Sequence, residues 1–198
     1  RFFHNHGLLS VNDRPQWRTI CGGSRNYVTP LIAPFRDKVL LNAPVESIRR
    51  APDHVLVKAR NQGTQRFDQV VLACHSDEAL AMLADATLAE REILGAIAFQ
   101  DNDTILHTDI TMLPRSRRAW AAWNYHRFQS DAREVCVTYN MSLLQKLSTP
   151  RPLLVSLNAT DRIHPDSILR RISYRHPVYS MASVRARSRW HEISGHNQ

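Results

Sequence analysis

Cys74-His75 closes the apolar run Val70-Val71-Leu72-Ala73, and Ser76-Asp77-Glu78 opens a helical pattern directly after it. A thiol beside an imidazole could serve as a nucleophile with its base. Consecutive residues at a strand end point in different directions, however, and no third residue can be named to orient the pair, so a thiol enzyme is not the expected reading. His4 and His6 would put two imidazoles on one strand face, as a metal site requires. In a chain with ten histidines they read as surface histidines, and no metal is expected. A strand tip that holds a ligand with its backbone fits Cys74-His75 better, because ligands of open α/β sheets sit beyond the carboxyl ends of the strands. Gly22-Gly23-Ser24 has the same character: two glycines let a ligand approach the backbone closely, just before a helix whose free amides favour negative charge.

The elements that must position these residues follow from periodicity. Tyr27, Val28, Leu31, Ile32 and Phe35 form a helical stripe, with Pro30 awkward inside it. Residues 38–41, 44–50, 54–60 and 66–73 read as strands, with a turn at Asn61-Gln62-Gly63. The continuous apolar end of the last suits a strand covered on both faces, as in a parallel sheet. Ser76 is the expected N-cap of a helix with Asp77 and Glu78 in its first turn, and Thr87-Leu88-Ala89-Glu90 is a capping box for a second helix ending near Gly95. Beyond residue 98 the texture is β-branched and aromatic, with strands expected over 105–109, 119–126, 134–140 and 153–158. Residues 129–133 read as a polar connection, and short helices are expected over 140–147, 166–171 and 180–189. The fold class is α+β with an α/β part: a piece of an α/β layer, then a mostly antiparallel sheet with flanking helices.

The chain has 198 residues, 43% of them hydrophobic, and a net charge of +8 carried almost wholly by arginine. Its basic clusters, Arg115-Ser116-Arg117-Arg118 and Arg185 to Arg189, accompany no motif that reads a nucleic-acid groove, so no nucleic acid is expected. An anionic membrane surface remains as a peripheral partner. Three scattered cysteines, Cys21, Cys74 and Cys136, point to a reducing compartment and hence to the cytoplasm. No apolar stretch approaches the ~18 residues of a membrane span. The chain begins at Arg1 and ends just after Ile193-Ser194-Gly195, so both ends read as cuts.

The order of the pieces over residues 17–83 resembles the middle of flavin-dependent oxidoreductases of the amine-oxidase superfamily. The pieces are Gly22-Gly23 before a helix, Val45 to Ile48 as V-x-x-I, a hairpin ending near Gly63, and Phe67-Asp68 to Ala73 as F-D-x-V-V-x-A. The continuation, AWAAWNYH at 119–126 and VTYNMSLLQKL at 137–147, is similar to a bacterial branch of predicted NAD/FAD-binding proteins. The resemblance implies part of a doubly wound FAD-binding domain joined to a substrate domain. Residues 1–16 would end a substrate-domain segment, 17–75 would form the central part of the FAD domain, and 76–195 would form the substrate domain.

It further implies FAD as cofactor, with Gly22, Gly23, Ser24, Val45, Ala73, Cys74 and His75 at the cofactor. The backbone of Val45 would meet the adenine, and Cys74-His75 would mark the crossing into the substrate domain. Trp120, Trp123, Asn124 and Tyr125 become candidate substrate contacts for a small molecule of apolar or lipid-like character. The expected activity of the parent is hydride transfer from a substrate C–H bond to FAD, with no general base nameable here. The departure from the pattern is as clear: none of the six glycines forms G-x-G-x-x-G. These residues alone are therefore expected to bind FAD weakly and not to turn over. The rival readings are a basic, non-catalytic binding module for anionic lipid or nucleic acid, and a degenerate relic.

Overall fold

The computed structural model describes residues 18–127 and 136–195, together with Gly7, residues 10–12 and Gln16. His4, His6, Trp17 and the polar connection at 129–133 lie outside the described residues. The chain divides into two compact units, one of Arg1–Asp37 with Thr104–Ile172 and one of Lys38–Asp103 with Ser173–Gln198.

In the second unit, β1 (Val45–Ala51), β2 (His54–Ala59) and β3 (Gly63–Phe67) form an antiparallel meander. Alternation sets its register: Ile48 lies opposite Val57, and Val55 opposite Phe67. Ile48 and Val55 are buried and meet Leu83, with Val45, Val70, Leu72, Met82 and Leu94 packed around them. Two helices supply the far side of this cluster, α2 (Ser76–Met82) and α3 (Leu88–Gly95). Thr87 caps α3 through Glu90 as its spacing predicts, the hydroxyl accepting from Glu90 N and the carboxylate from Thr87 N at 2.7 Å.

The same Glu90 carboxylate neutralises Arg50. Its Oε2 lies 2.9 Å from the Arg50 guanidinium, and Asp85 takes both the Arg50 backbone N–H and the Nε–H. The side chains of Arg50 and Glu90 are only 11% and 7% exposed. The pair therefore compensates two desolvated charges while tying β1 to the α2–α3 connection.

In the first unit lie α1 (Arg25–Ile32), β5 (Trp123–His126), β6 (Cys136–Asn140), α4 (Met141–Leu144) and β7 (Leu154–Leu157). The strands belong to a five-stranded sheet of order β5-β6-β7-β4-β8, in which β4 (Phe99–His107) and β8 (Ile168–Pro177) each carry residues of both units. Thr138 lies opposite Ser156, and Ser156 opposite Ile105. Ile105, Met112, Cys136, Ala159 and Ile163 form the buried apolar cluster, which the turns at Ile110–Met112 and Thr160–Arg162 help to close. The last helix, α5 (Met181–Ser188), belongs to the second unit. Among the described residues no helix is long and apolar enough to cross a membrane.

Four expectations need correction. Residues 66–73 do not make one strand: β3 ends at Phe67, no described strand pairs with 69–73, and Val71 is 90% exposed. An apolar run becomes a parallel strand only where neighbours take its N–H and C=O groups. Residues 38–41 form no strand, since Lys38 ends a 3-10 segment over Ala33–Lys38. The helix cap falls one residue early, on His75, whose N–H meets the Glu78 carboxylate at 3.4 Å. Residues 166–171 are not helical: Pro165 opens a single 3-10 turn, and Ile168 begins β8. The awkward Pro30 lies within α1, which runs on to Ile32, and the irregular backbone comes at Phe35 in the 3-10 segment that follows.

The Arg50 guanidinium holds the Glu90 carboxyl at about 2, well below its ordinary value of 4.5, against the cost of burial. A depressed carboxylate contributes stability above its unfolded pKa and loses it as pH falls toward the folded one. Urea unfolding followed by circular dichroism should therefore show stability falling by roughly 2–3 kcal/mol between pH ~5 and ~2. Arg50→Met should cost ~3–5 kcal/mol at neutral pH by stranding the carboxylate and should flatten that acid limb.

Candidate cofactor and substrate site

Gly22 and Gly23 both take left-handed backbone, with φ of +78° and +89°. A Cβ on Gly22 would fall 2.4 Å from Nδ2 of Asn26, the atom that donates to Cys21 O at 2.7 Å. The first glycine is thus set by the turn and the second by backbone conformation, since nothing lies within 4 Å of a Cβ placed on Gly23. The open side of Gly23 leaves its backbone approachable. Ser24 precedes α1 without a side-chain cap bond.

Val45 starts β1 opposite Ala59, beside a register shift between Val45 and Ser47, a bulge that re-aims a strand end. It shares the apolar cluster with Leu72, so one packing arrangement holds Val45 near the segment that leads to Ala73-Cys74-His75. Burial, followed by the Glu78 and Asp77 carboxylates, pushes the Cys74 thiol up, the opposite of an activated thiolate. The His75 ring stacks on Phe99 at 4.3 Å and 16°, and Arg175 lies 5.7 Å over the Phe99 ring. Arg175 also donates to Asp77 at 2.6 Å. His75 Nδ1 and Ser76 Oγ are shielded from solvent with no hydrogen-bond partner, Nδ1 lying 3.8 Å from Glu78 Oε1. Orphaned polar atoms of this kind are costly unless something polar reaches them. Among the described residues no cluster of three His, Cys, Asp or Glu could hold a metal.

The first unit separates the four proposed substrate residues. Trp120 donates from Nε1 to Pro114 O at 2.8 Å and carries Arg117 over its ring at 5.4 Å. Trp123 and Tyr125 lie on one face of the sheet, 46% and 67% exposed. Trp123 meets Tyr139 edge-on at 6.2 Å, and the register extends this face through Val137, Val155 and Leu157. Asn124 points to the opposite face, where its Nδ2 donates to Ala121 O at 2.8 Å and to Thr138 O at 3.2 Å.

That opposite face is buried and polar. His107, Thr138 and Ser156 have no exposure and Asn140 has 1%. His107 Nε2 lies 2.8 Å from Ser156 Oγ, which lies 2.6 Å from Thr138 Oγ1, which lies 2.8 Å from His126 Nε2. Burial lowers His107 to about 4 despite the nearby Asp109 charge, and burial lowers His126 as well. Burial opposes ionisation of Asp109, yet the backbone N–H of His164 and the Thr111 hydroxyl hold its carboxyl below the ordinary range. Sequence reasoning missed this group. The alternation of Cys136, Thr138 and Asn140 against Val137 and Tyr139 was the available signal, but alternation does not say which face turns inward.

Asn124→Ala should destabilise the protein by ~1–3 kcal/mol in urea denaturation, since the carbonyls of Ala121 and of the buried Thr138 lose their donor. Trp123→Ala should change stability by less than ~1 kcal/mol, because its ring is half in water.

The family described as flavin containing amine oxidoreductase matches residues 6–101. No curated protein matches the chain. Among solved structures, a redesign of cofactor binding in putrescine oxidase is 15% identical, with a TM-score of 0.48 over 71% of this chain and 30% of that one. Wild-type putrescine oxidase bound to putrescine is 13% identical, with a TM-score of 0.48 over 78% of this chain and 38% of that one. The CLA-producing fatty acid isomerase from P. acnes is 14% identical, with a TM-score of 0.46 over 78% of this chain and 40% of that one. This chain thus spans between 30% and 40% of the length of these structures. Residues 6–101 contain Gly22-Gly23, Val45 to Ile48 and Phe67 to His75, and by this match the chain belongs to the flavin amine-oxidase superfamily.

Proposed function

We propose that the chain is a section of an FAD-dependent oxidoreductase, with residues 17–75 contributing to the FAD-binding domain and residues 76–195 to the substrate domain. The observation that carries this reading is the family match over residues 6–101, which spans all seven candidate cofactor residues. FAD, when bound, accepts a hydride from a substrate C–H bond. The residues present fit parts of that cofactor. Gly23 offers an open backbone, and the bulged start of β1 at Val45 offers a strand end to the adenine. The orphaned His75 Nδ1 and Ser76 Oγ offer polar partners. The pyrophosphate has no cradle of the G-x-G-x-x-G type among these 198 residues.

On the substrate side, the open face of Trp123, Tyr125 and Tyr139 suits an apolar small molecule, excluding water by ring area rather than by charge. Trp120 belongs to the same proposal with its indole fixed on Pro114 O, and Asn124 supports the strand from behind. Cytoplasmic location belongs to the same proposal, on the three free cysteines, of which Cys21 and Cys74 are exposed.

The test is flavin retention. A protein extended through any G-x-G-x-x-G segment encoded in the same frame is expected to purify yellow, and the 198 residues alone to lose FAD on gel filtration. In the flavin-loaded protein, Gly23→Val should weaken FAD binding about tenfold or more, because φ of +89° strains a β-branched residue. An extended protein that takes up no FAD, while binding anionic vesicles or nucleic acid with an affinity that falls steeply with salt, overturns the proposal in favour of a basic binding module.

A further inference from the structure

His107 stands where the sheet meets the turns that close its apolar cluster. The residue is fully buried, and both ring nitrogens are engaged. Asp109 N donates to Nδ1 at 3.1 Å, so Nδ1 is the acceptor and the neutral ring carries its proton on Nε2, 2.8 Å from Ser156 Oγ. The donor, Asp109, is also the residue that organises the turns. Its Oδ1 accepts from the Thr111 N–H and hydroxyl, and its Oδ2 from His164 N at 2.8 Å. Its carbonyl accepts from Met112 N, and Met112 belongs to the cluster with Ile105, Cys136, Ala159 and Ile163. One residue earlier, Thr108 N donates to Ser167 O at 3.0 Å.

We propose that His107 is an acid-sensitive latch: its unprotonated Nδ1 holds the Asp109 turn over the apolar cluster, and a proton on Nδ1 releases that turn. The reason is a collision of donors at one nitrogen. A protonated imidazole donates from both nitrogens. Ser156 Oγ can accept from Nε2 in either state, but at Nδ1 the new N–H would point at the Asp109 N–H. The two Asp109 oxygens are turned to Thr111 and His164. The ring can therefore take its second proton only once Asp109 N has moved away. That movement loosens residues 108–113 and their hold on 164–167.

Burial holds His107 at about 4, below its ordinary value of 6.5, while the Asp109 charge pulls the other way. The closed turn thus binds a proton less readily than the open one. Closure is fully favoured above pH ~6.5 and is lost as pH falls towards ~4. The Asp109 carboxyl lies below the ordinary range and stays ionised across that window. Beneath the sheet, His126 stands two hydroxyls away, through Ser156 and Thr138, and is lowered by burial as well. Cys136 is pushed up by burial despite Arg162. Asp161, Arg162, His164 and Asp166, on the turns that face β4, are exposed. The inference does not depend on the flavin reading.

The test is amide hydrogen exchange of the 198-residue chain, read by NMR between pH ~7 and ~5 and normalised to the intrinsic rate at each pH. The opening constants of Thr108, Leu113, His164 and Ser167 should rise about 20-fold as the pH falls, and those of the β6–β7 pair far less. Nitrogen-15 NMR should show neutral His107 as the Nε2–H tautomer. His107→Asn sets an oxygen where Nδ1 stands and takes no proton, so the rise at its turn should stay under about threefold. In the wild type, an Nδ1–H tautomer, a rise below about threefold, or a rise shared equally by the β6–β7 pair overturns the proposal, and none of these readings needs the variant. A His107→Asn protein that folds and keeps the full rise overturns it as well, since the titrating group would then lie elsewhere.

Discussion

A polar group taken out of water must find a partner within the protein, and that constraint shapes both units of this chain. In one unit it takes the form of charge: Arg50 is buried against β1 and is matched by Asp85 and Glu90. In the other it takes the form of neutral hydroxyls, amides and imidazoles on the inner face of a sheet. The apolar clusters of buried residues described are small in each case, Ile48, Val55 and Leu83 beside Arg50 and Ile105, Met112, Cys136, Ala159 and Ile163 beneath the sheet. Hydrophobic burial drives collapse, but it is indifferent to register. The paired polar groups are not, because a one-residue slip would strand His107, Thr138 and Ser156 without partners.

This arrangement leaves the other face of the sheet free for different duties. Trp123, Tyr125 and Tyr139 are not needed to close the core, which lies on the far side of their strands. Large rings held on a rigid sheet offer contact area at little cost in conformational entropy. A face of this kind offers apolar contact area rather than a charged partner. Cys74-His75 has a parallel character. Its thiol is not activated and its imidazole is held by stacking on Phe99, so the segment presents backbone and orphaned polar atoms rather than a nucleophile.

Arginine carries much of the stabilising ion pairing as well as the net charge. Arg50, Arg175 and Arg189 each engage two or more carboxylates, using the planar fork that lysine lacks. The positive balance of the chain is thus partly spent on internal order. Arg175 and Arg189 are also more exposed than Arg50, so water screens their pairs and reduces what each contributes.

The sequence by itself determined the local features that rest on short-range chemistry. The Thr87–Glu90 capping box, the strands β1 and β2 with the turn after them, the glycine pair before α1 and the helix at 180–189 were all legible, because caps, turns and alternation act within a few residues. The amine-oxidase pattern was legible for the same reason, as an order of local signals. Tertiary structure decided what depends on neighbours distant in sequence. Residues 69–73 look like a strand and are none, since no described strand pairs with them. Ile168–Pro177 took the strand conformation in place of a short helix. Which face of Cys136–Asn140 turned inward was equally undetermined until β5 and β7 were placed beside it. A periodicity of two announces two faces, and only packing against the rest of the chain chooses between them.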